Sequence, residues 1–448
     1  MEESANDEQM VVVVVVKEAA KMASSPLLSV PTELLLAVVE AIDYAASLRS
    51  FVLTCKLARL LAEPVLYRAV LVTTGSQVSS LAKALQQQRV ELVQVLDLRR
   101  PARAVDREPV RELRPRGPRT LRHRREALTQ GYRALFLDAQ CGAGLQNLQS
   151  LTIHWSGDDS YIWLLTEFKP ILTLPALQSL TVSCAVLGDD LADGLDAFAS
   201  TTALTHLELV ECFASQKALT AVLALPRALR SCHLGIMRYH TSRSNNYHEA
   251  SPEQQLEALR QQRHSLQQLT WFDKDFAFDK DVRRVSSAPG AGLYDFIELH
   301  VVTLDGASAL LFSILLSERA PPNLDRLRII RHDEGTVLDH PTDSVDYTRI
   351  PGIPPPFALH QYLPKLHHLD LVFLPENRWN IEPLWAKPDR RDQVKRLGED
   401  YHDRGIGLAI FTAKRGRFIP PYLFGEEVPC EEPAYRAENA WFCSCCLE

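Results

Sequence analysis

The chain has 448 residues, 46% of them hydrophobic and 23% charged, so it can bury a sizeable core, and its length suits two or three domains. A formal net charge of −7 argues against a surface built as a whole for nucleic acid, which is usually basic. Nine cysteines, an odd number without regular spacing, argue against a disulfide framework and for a reducing compartment, the cytosol or the nucleus.

The opening Met1-Glu2-Glu3 carries the wrong charge for a secretory leader, and the six valines at 11–16 are too few for an export signal or a membrane span. Residues 1–23 are expected as a disordered tail, because the valine run is β-prone but has no neighbouring pattern to pair with. Residues 24–72 are dense in Leu, Val and Ala. Pro31 and Thr32 precede one apolar run, Ser47 a second, and Pro64 follows a third, so three short helices are expected. The first, from Thr32 to about Ile42, is apolar on nearly every side and relieved only by Glu33 and Glu40. A helix apolar all round must be buried all round. A unit of about 45 residues cannot supply that much core alone, so part of this surface must face a partner or another domain.

Residues 99–125 are rich in arginine and broken by Pro101, Pro109, Pro115 and Pro118, which predicts an exposed loop. The arginines lack interleaved aromatics and are diluted by Asp106, Glu108 and Glu112, so nucleic-acid binding is not expected. Residues 333–364 hold five prolines between Pro341 and Pro356 and read as a long surface insertion, and residues 419–448 read as a loose tail.

Through the rest of the chain an apolar-x-x-apolar-x-apolar phrase recurs. It begins at Val93/Leu96/Leu98 and runs through Leu148/Leu151/Ile153, Leu177/Leu180/Val182, Leu204/Leu207/Leu209, Leu229/Cys232/Leu234, Leu266/Leu269/Trp271, Phe296/Leu299/Val301 and Leu324/Leu327/Ile329 to Leu366/Leu369/Leu371. The residues around Ile406 and Ile410 suggest a last strand. The steps from Leu151 to Leu180, Leu207 and Cys232 are 29, 27 and 25 residues, close to the period of leucine-rich repeats. Each phrase predicts a strand, and segments such as 191–199 and 307–316 have helical spacing. Stacked strand-helix units bury a leucine core that no unit could bury alone. The Asn or Cys such repeats place three residues after the last apolar position is matched only by Cys212, so an irregular stack is expected.

Within the helical segment, Leu28-Ser29-Val30-Pro31-Thr32-Glu33-Leu34-Leu35, Ile42-Asp43-Tyr44, Ser47-Leu48, Leu53-Thr54-Cys55-Lys56 and Leu61-Ala62-Glu63-Pro64-Val65-Leu66-Tyr67-Arg68 follow in an order and spacing that resembles an F-box, most like those of fungal F-box proteins. The resemblance covers about a tenth of the chain. It implies three helices that dock a Skp adaptor, and through it a cullin and a ubiquitin-conjugating enzyme, without chemistry of their own. It implies adaptor contacts among Val30, Pro31, Leu34, Leu35, Ile42, Leu48, Leu53, Cys55, Leu61, Leu66 and Tyr67. Two positions depart from the family pattern: Val30 stands where Leu is usual, and Leu57-Ala58 where a tryptophan often follows the Cys-basic pair. A helical cap over the first edge of the repeats is the other reading of the same segment.

The expected fold is therefore α/β: a three-helix F-box at 24–72, then an irregular leucine-rich-repeat solenoid at 73–418 with parallel strands and outer helices. Side chains alternating with the buried leucines should face a target protein, and His154, His206, Glu208, Phe272, His300, Arg328 and Asp370 are candidate contacts. The recurring histidines have no second ligand at metal-binding spacing, so no metal or cofactor is expected. No phosphate loop, nucleophile elbow or zinc motif is present, which predicts a non-catalytic protein. Cys445 lies at the distance of a prenylation site, but the terminal Glu448 is not a usual recognition residue. The expected role is substrate recognition in a ubiquitin ligase. A repeat scaffold without a ligase link is the alternative.

Overall fold

A computed structural model describes residues 30–42, 44–72, 75–84, 92–99, 132–133, 135–136, 145–154, 163–235, 250–272, 292–305, 308, 310–331, 356–373, 388–413, 431–436 and 441–442. The expected N-terminal tail, the Arg-rich loop beyond Arg99 and residues 333–355 of the Pro-rich insertion lie outside them. The described molecule is α/β, with a large, mostly parallel sheet and helices.

Among the described residues three helices come first: α1 Thr32–Glu40, α2 Ala45–Val52 and α3 Lys56–Arg68. A thirteen-stranded sheet follows. Its parallel strands are β1 Ala69–Val72, β2 Val95–Arg99, β3 Ser150–His154, β5 Ser179–Ser183, β7 His206–Val210, β9 Ser231–Gly235, β10 Gln268–Phe272, β11 Val301–Asp305, β12 Arg326–Arg331, β13 His368–Phe373 and β14 Gly407–Ala413, each paired to the next. Three short strands, β4 Trp163–Leu164, β6 Ala185–Leu187 and β8 Phe213–Ala214, make a second parallel sheet. Further α-helices among the described residues are α4 Gly75–Ala84, α5 Gln216–Ala224, α6 Pro252–Leu259, α7 Pro356–Tyr362 and α8 Pro388–His402.

The register carries one apolar row along the sheet, from Leu96 through Leu151, Leu180 and Leu207 to Leu327, Leu369 and Leu408. A second row two residues later, including Leu98, Val182, Trp271 and Ile410, belongs to the same core, which is continuous from Val72 to Tyr435. Alternation puts both rows on one face, as the recurring phrase predicts.

Several expectations change. The seventh phrase belongs on Leu299, Val302 and Leu304, not on Phe296, Leu299 and Val301, because tight turns through Phe296 and Leu299 delay the strand to Val301. Residues 191–199 are not an α-helix: 3-10 turns at Asp189–Ala192 and Asp196–Phe198 flank Gly194, whose φ of 75° breaks the helical path. Segment 307–316 contains a π-helical turn at Leu311–Leu315. The end of the proline-rich insertion is α7, since proline is tolerated in a first helical turn. Residues 69–72 leave the helical segment and become β1, their small and branched side chains suiting a strand. The C-terminal stretch is not wholly a loose tail. β15 Glu431–Arg436 adds antiparallel to β14 and β16 Trp441–Phe442 antiparallel to β15, and Tyr435 joins the core at this end of the sheet.

Corners between the two sheets need left-handed backbone: Cys184 (φ 54°) and Glu211 (φ 52°) follow register-paired Ser183 and Val210. Cys212 holds this corner. Its Sγ accepts from the Ala185 N–H at 3.5 Å and lies 3.4 and 3.3 Å from the Val182 and Val210 carbonyls. Burial, the main cause, pushes its thiol up to about 12, so it is a packing and hydrogen-bonding group and not a nucleophile.

Candidate functional site: the helical module and the outward face of the sheet

The three helices pack around Val39, Leu48 and Ala62, with Ile42, Phe51, Val52, Leu61, Val65 and Leu66 partly buried against them. Among the described residues this core is separate from that of the sheet, whose first member is Val72. Cys55 starts α3 by accepting the Ala58 N–H on Sγ at 3.4 Å. Pro64, expected after the third helix, lies inside it, and α3 runs on to Arg68. The missing N–H deprives the Leu60 carbonyl of its helical donor, a cost of about 3 kcal/mol in a helix interior. Arg68 leads into β1 with no intervening residue and approaches Glu40 at 3.5 Å.

This packing divides the eleven residues expected to contact an adaptor. Leu35 and Leu48 are buried inside the module and are structural. Ile42, Leu61 and Leu66 are half-buried in its core, Val30 and Tyr67 are half-buried, and Cys55 is a half-buried helix cap. Pro31 is exposed, Leu34 is 57% exposed and Leu53 84% exposed. Sequence reasoning missed Leu36, Val38 and Leu60, all exposed, and Tyr44, which is 77% exposed. Helical spacing could have found one of them, Val38. Leu35 and Val39, four apart, take the buried stripe of α1, which leaves Leu34 and Val38 on another side. Ile42, Ala46, Ser47, Ser50, Phe51 and Thr54 line a shallow groove along α2.

The second candidate surface is the sheet face turned away from the core. Its middle row aligns Thr181, Glu208, His233, Thr270, Thr303, Arg328 and Asp370. Glu208 is half-buried and accepts from Thr181 Oγ1 at 3.1 Å. His206 is exposed, with Nδ1 2.8 Å from Thr205 Oγ1, and His300 is exposed just before β11, with Nδ1 3.1 Å from the Asn323 carbonyl. The half-buried Arg328 lies over the Phe411 ring at 5.8 Å. His154 ends β3 beside Arg99; its side chain lies outside the described residues.

Two expected contacts are not exposed. Asp370 is buried and lies 3.9 Å from Arg326 Nη1. Phe272 is buried in a second apolar cluster with Ile330 and Val372, flanked by Phe411. Strand alternation decides which face a residue occupies, not whether that face is covered. His233 packs against Phe272 with ring centroids 5.4 Å apart, and burial depresses its imidazole to about 4.

Among the described residues, no group of three or more His, Cys, Asp or Glu side chains could hold a metal ion. Among them, too, no helix is long and apolar enough to cross a membrane. No family model matches the chain, and no curated protein matches it.

Proposed function

We propose that the chain is a substrate-recognition subunit of a Skp/cullin/F-box ubiquitin ligase. In this reading residues 30–68 are the F-box that docks the adaptor, and the strands from β1 onward are an irregular leucine-rich solenoid that holds a target protein. The F-box resemblance suggests the class. The observation that carries it is the helical module: it has a core of its own, yet Leu34, Val38, Tyr44, Leu53 and Leu60 stand in water. A helical cap would share the core of the sheet it covers, and among the described residues this core is separate.

Burying four such side chains yields roughly 1.5–3 kcal/mol each, which is comparable to the cost of association. Pro31, Leu34 and Leu53 remain the best adaptor contacts of the original set, joined by Val38, Tyr44 and Leu60. Ubiquitin transfer then follows from proximity: a target lysine held near a charged conjugating enzyme reacts at a local concentration set by geometry. The protein works in the cytosol or nucleus in this reading and contributes no catalytic group.

Co-purification of the full chain with a Skp adaptor tests the proposal. Leu53→Asp alters an exposed position, so the fold should persist while adaptor recovery falls at least about tenfold. Failure of the wild-type chain to retain the adaptor would leave the scaffold reading in place.

A further inference from the structure

We infer that the edge of the sheet where β9 and β10 begin binds an acidic peptide segment of a protein partner, one that carries an apolar side chain near its carboxylates. The turns that enter these strands supply the chemistry. Arg227 and Arg230 stand four residues and one residue before β9, and Arg263 and His264 stand five and four before β10. All four side chains are exposed.

The backbone sets the two turns side by side. The Arg230 N–H donates to the Thr205 carbonyl at 2.8 Å, and the Arg230 carbonyl accepts from the Gln267 and Gln268 N–H groups at 2.8 and 2.9 Å. Buried Gln262 ties the second turn to the first through Pro226 and Leu229, the chain neighbours of Arg227 and Arg230. Arg263 follows Gln262, and its Nε–H donates to His264 Nε2 at 3.1 Å, which orients the guanidinium. A guanidinium held in this way presents a flat fork of donors that matches a carboxylate. Two carboxylates already border the patch: Glu257 lies 3.6 Å from Arg260, and Asp295 lies 4.0 Å from Arg263. Arg227 and Arg230 add positive charge beyond these pairs, on a chain whose formal net charge is −7. Such a patch draws in an acidic segment that a molecule of this net charge otherwise repels.

The turn before β11 supplies the apolar neighbour. Ile297 stands four residues before that strand, the position that Arg227 and His264 hold before theirs, and it is 48% exposed. Asp295, in the same turn, is the residue that approaches Arg263. Two strand steps, from the β9 turn to the β11 turn, amount to about 10 Å, which an extended peptide crosses in about three residues. The segment that fits has a leucine-sized side chain about three positions from a carboxylate. Nucleic acid fits less well, because its affinity grows with the phosphates neutralised along a track and this patch spans only neighbouring turns. The inference does not depend on adaptor docking by the helices.

Fluorescence anisotropy on the full chain at low ionic strength tests it with labelled probes: an oligoglutamate of about ten residues, the same peptide with one interior glutamate replaced by leucine, and an oligouridylate of similar charge. The leucine peptide should bind the wild type at least about threefold more tightly than oligoglutamate, and Arg227→Glu/Arg230→Glu should weaken both peptides at least about tenfold. Ile297→Ser should remove only the leucine preference. These side chains are exposed, so the urea midpoint should stay at the wild-type value. If the double reversal lowers that midpoint, Arg230→Gln makes the same comparison with an expected loss of about threefold. Adaptor recovery should be unchanged in all these variants, so failure here is distinguishable from failure of the ligase reading. Absence of peptide binding in the wild type, or binding that charge removal leaves unchanged, would overturn the inference. So would a leucine preference that is missing or survives Ile297→Ser, and so would tighter binding of oligouridylate than of either peptide, which would assign the patch to nucleic acid.

Discussion

Gly235 closes β9 with a φ of 119°, and a Cβ there would lie 2.0 Å from the Phe272 carbonyl oxygen of the neighbouring strand. Both the backbone conformation and the contact exclude a side chain, so Gly235→Ala should lower the unfolding free energy by at least about 2 kcal/mol. Urea denaturation measures this, and a change within about 0.5 kcal/mol, as at an ordinary surface site, would contradict it. His233 sets a pH dependence of known sign. Its imidazole sits near 4 in the fold, against about 6.5 in an unfolded chain, so the unfolded state takes up the proton first as pH falls. The stability is fully present above pH 6.5 and is lost progressively toward pH 4. Because His233 is half-buried, the loss should be on the order of 1 kcal/mol, and His233→Gln should flatten it in urea midpoints compared at pH 7 and pH 5. Of the single residues with special roles, Cys212 stood out in the sequence as a small polar residue three positions after an apolar phrase, and its thiol hydrogen-bonds at the corner. The burial of Phe272 and Asp370 was not, since it depends on what lies across the face of the strand.

Elements in this molecule depend on contacts between successive repeats. Gln262, buried after α6, accepts the Leu229 N–H on Oε1 at 2.9 Å, and its Nε2 donates to the Leu223 and Pro226 carbonyls at 2.8 and 3.0 Å. It thereby satisfies backbone groups of the preceding repeat where the chain turns into β9. Gln262→Leu keeps the bulk but removes these bonds, and should cost about 2–4 kcal/mol in thermal or urea unfolding. A loss below about 0.5 kcal/mol would mean that water replaces the amide. The strands were readable because two-residue alternation within a three-step phrase is a local signal. The connecting segments were less so: α5 has a Ser215 cap and a regular apolar stripe, whereas 191–199 carries similar spacing but is interrupted at Gly194. The direction of α1 was also hidden. Its composition is apolar on almost every side, and only tertiary packing selects Leu35 and Val39 for the interior.

Among the described residues, one long core runs through the sheet with two small apolar clusters at Phe272 and Phe213, and a separate core lies in the helices. The helical module should therefore lose structure on its own. Ala62 is fully buried at its centre, and Ala62→Asp would bury a charge in a unit too small to absorb the cost. Hydrogen exchange should then accelerate across 32–68 while the strands from 150 to 413 remain slow; simultaneous loss of both would show that the two cores fold as one.

The order of amino acids by itself determined the succession of most described parallel strands and the three helices before them, because each rests on interactions among residues near in the chain. The tertiary structure alone decided three things: the antiparallel closure by β15 and β16, the covering of Phe272 and Asp370, and the division of the helical segment into buried and exposed apolar residues. Those outcomes depend on which distant segments come to lie against one another. The exposed part of that division, from Leu34 to Leu60, is the surface on which the proposed docking rests.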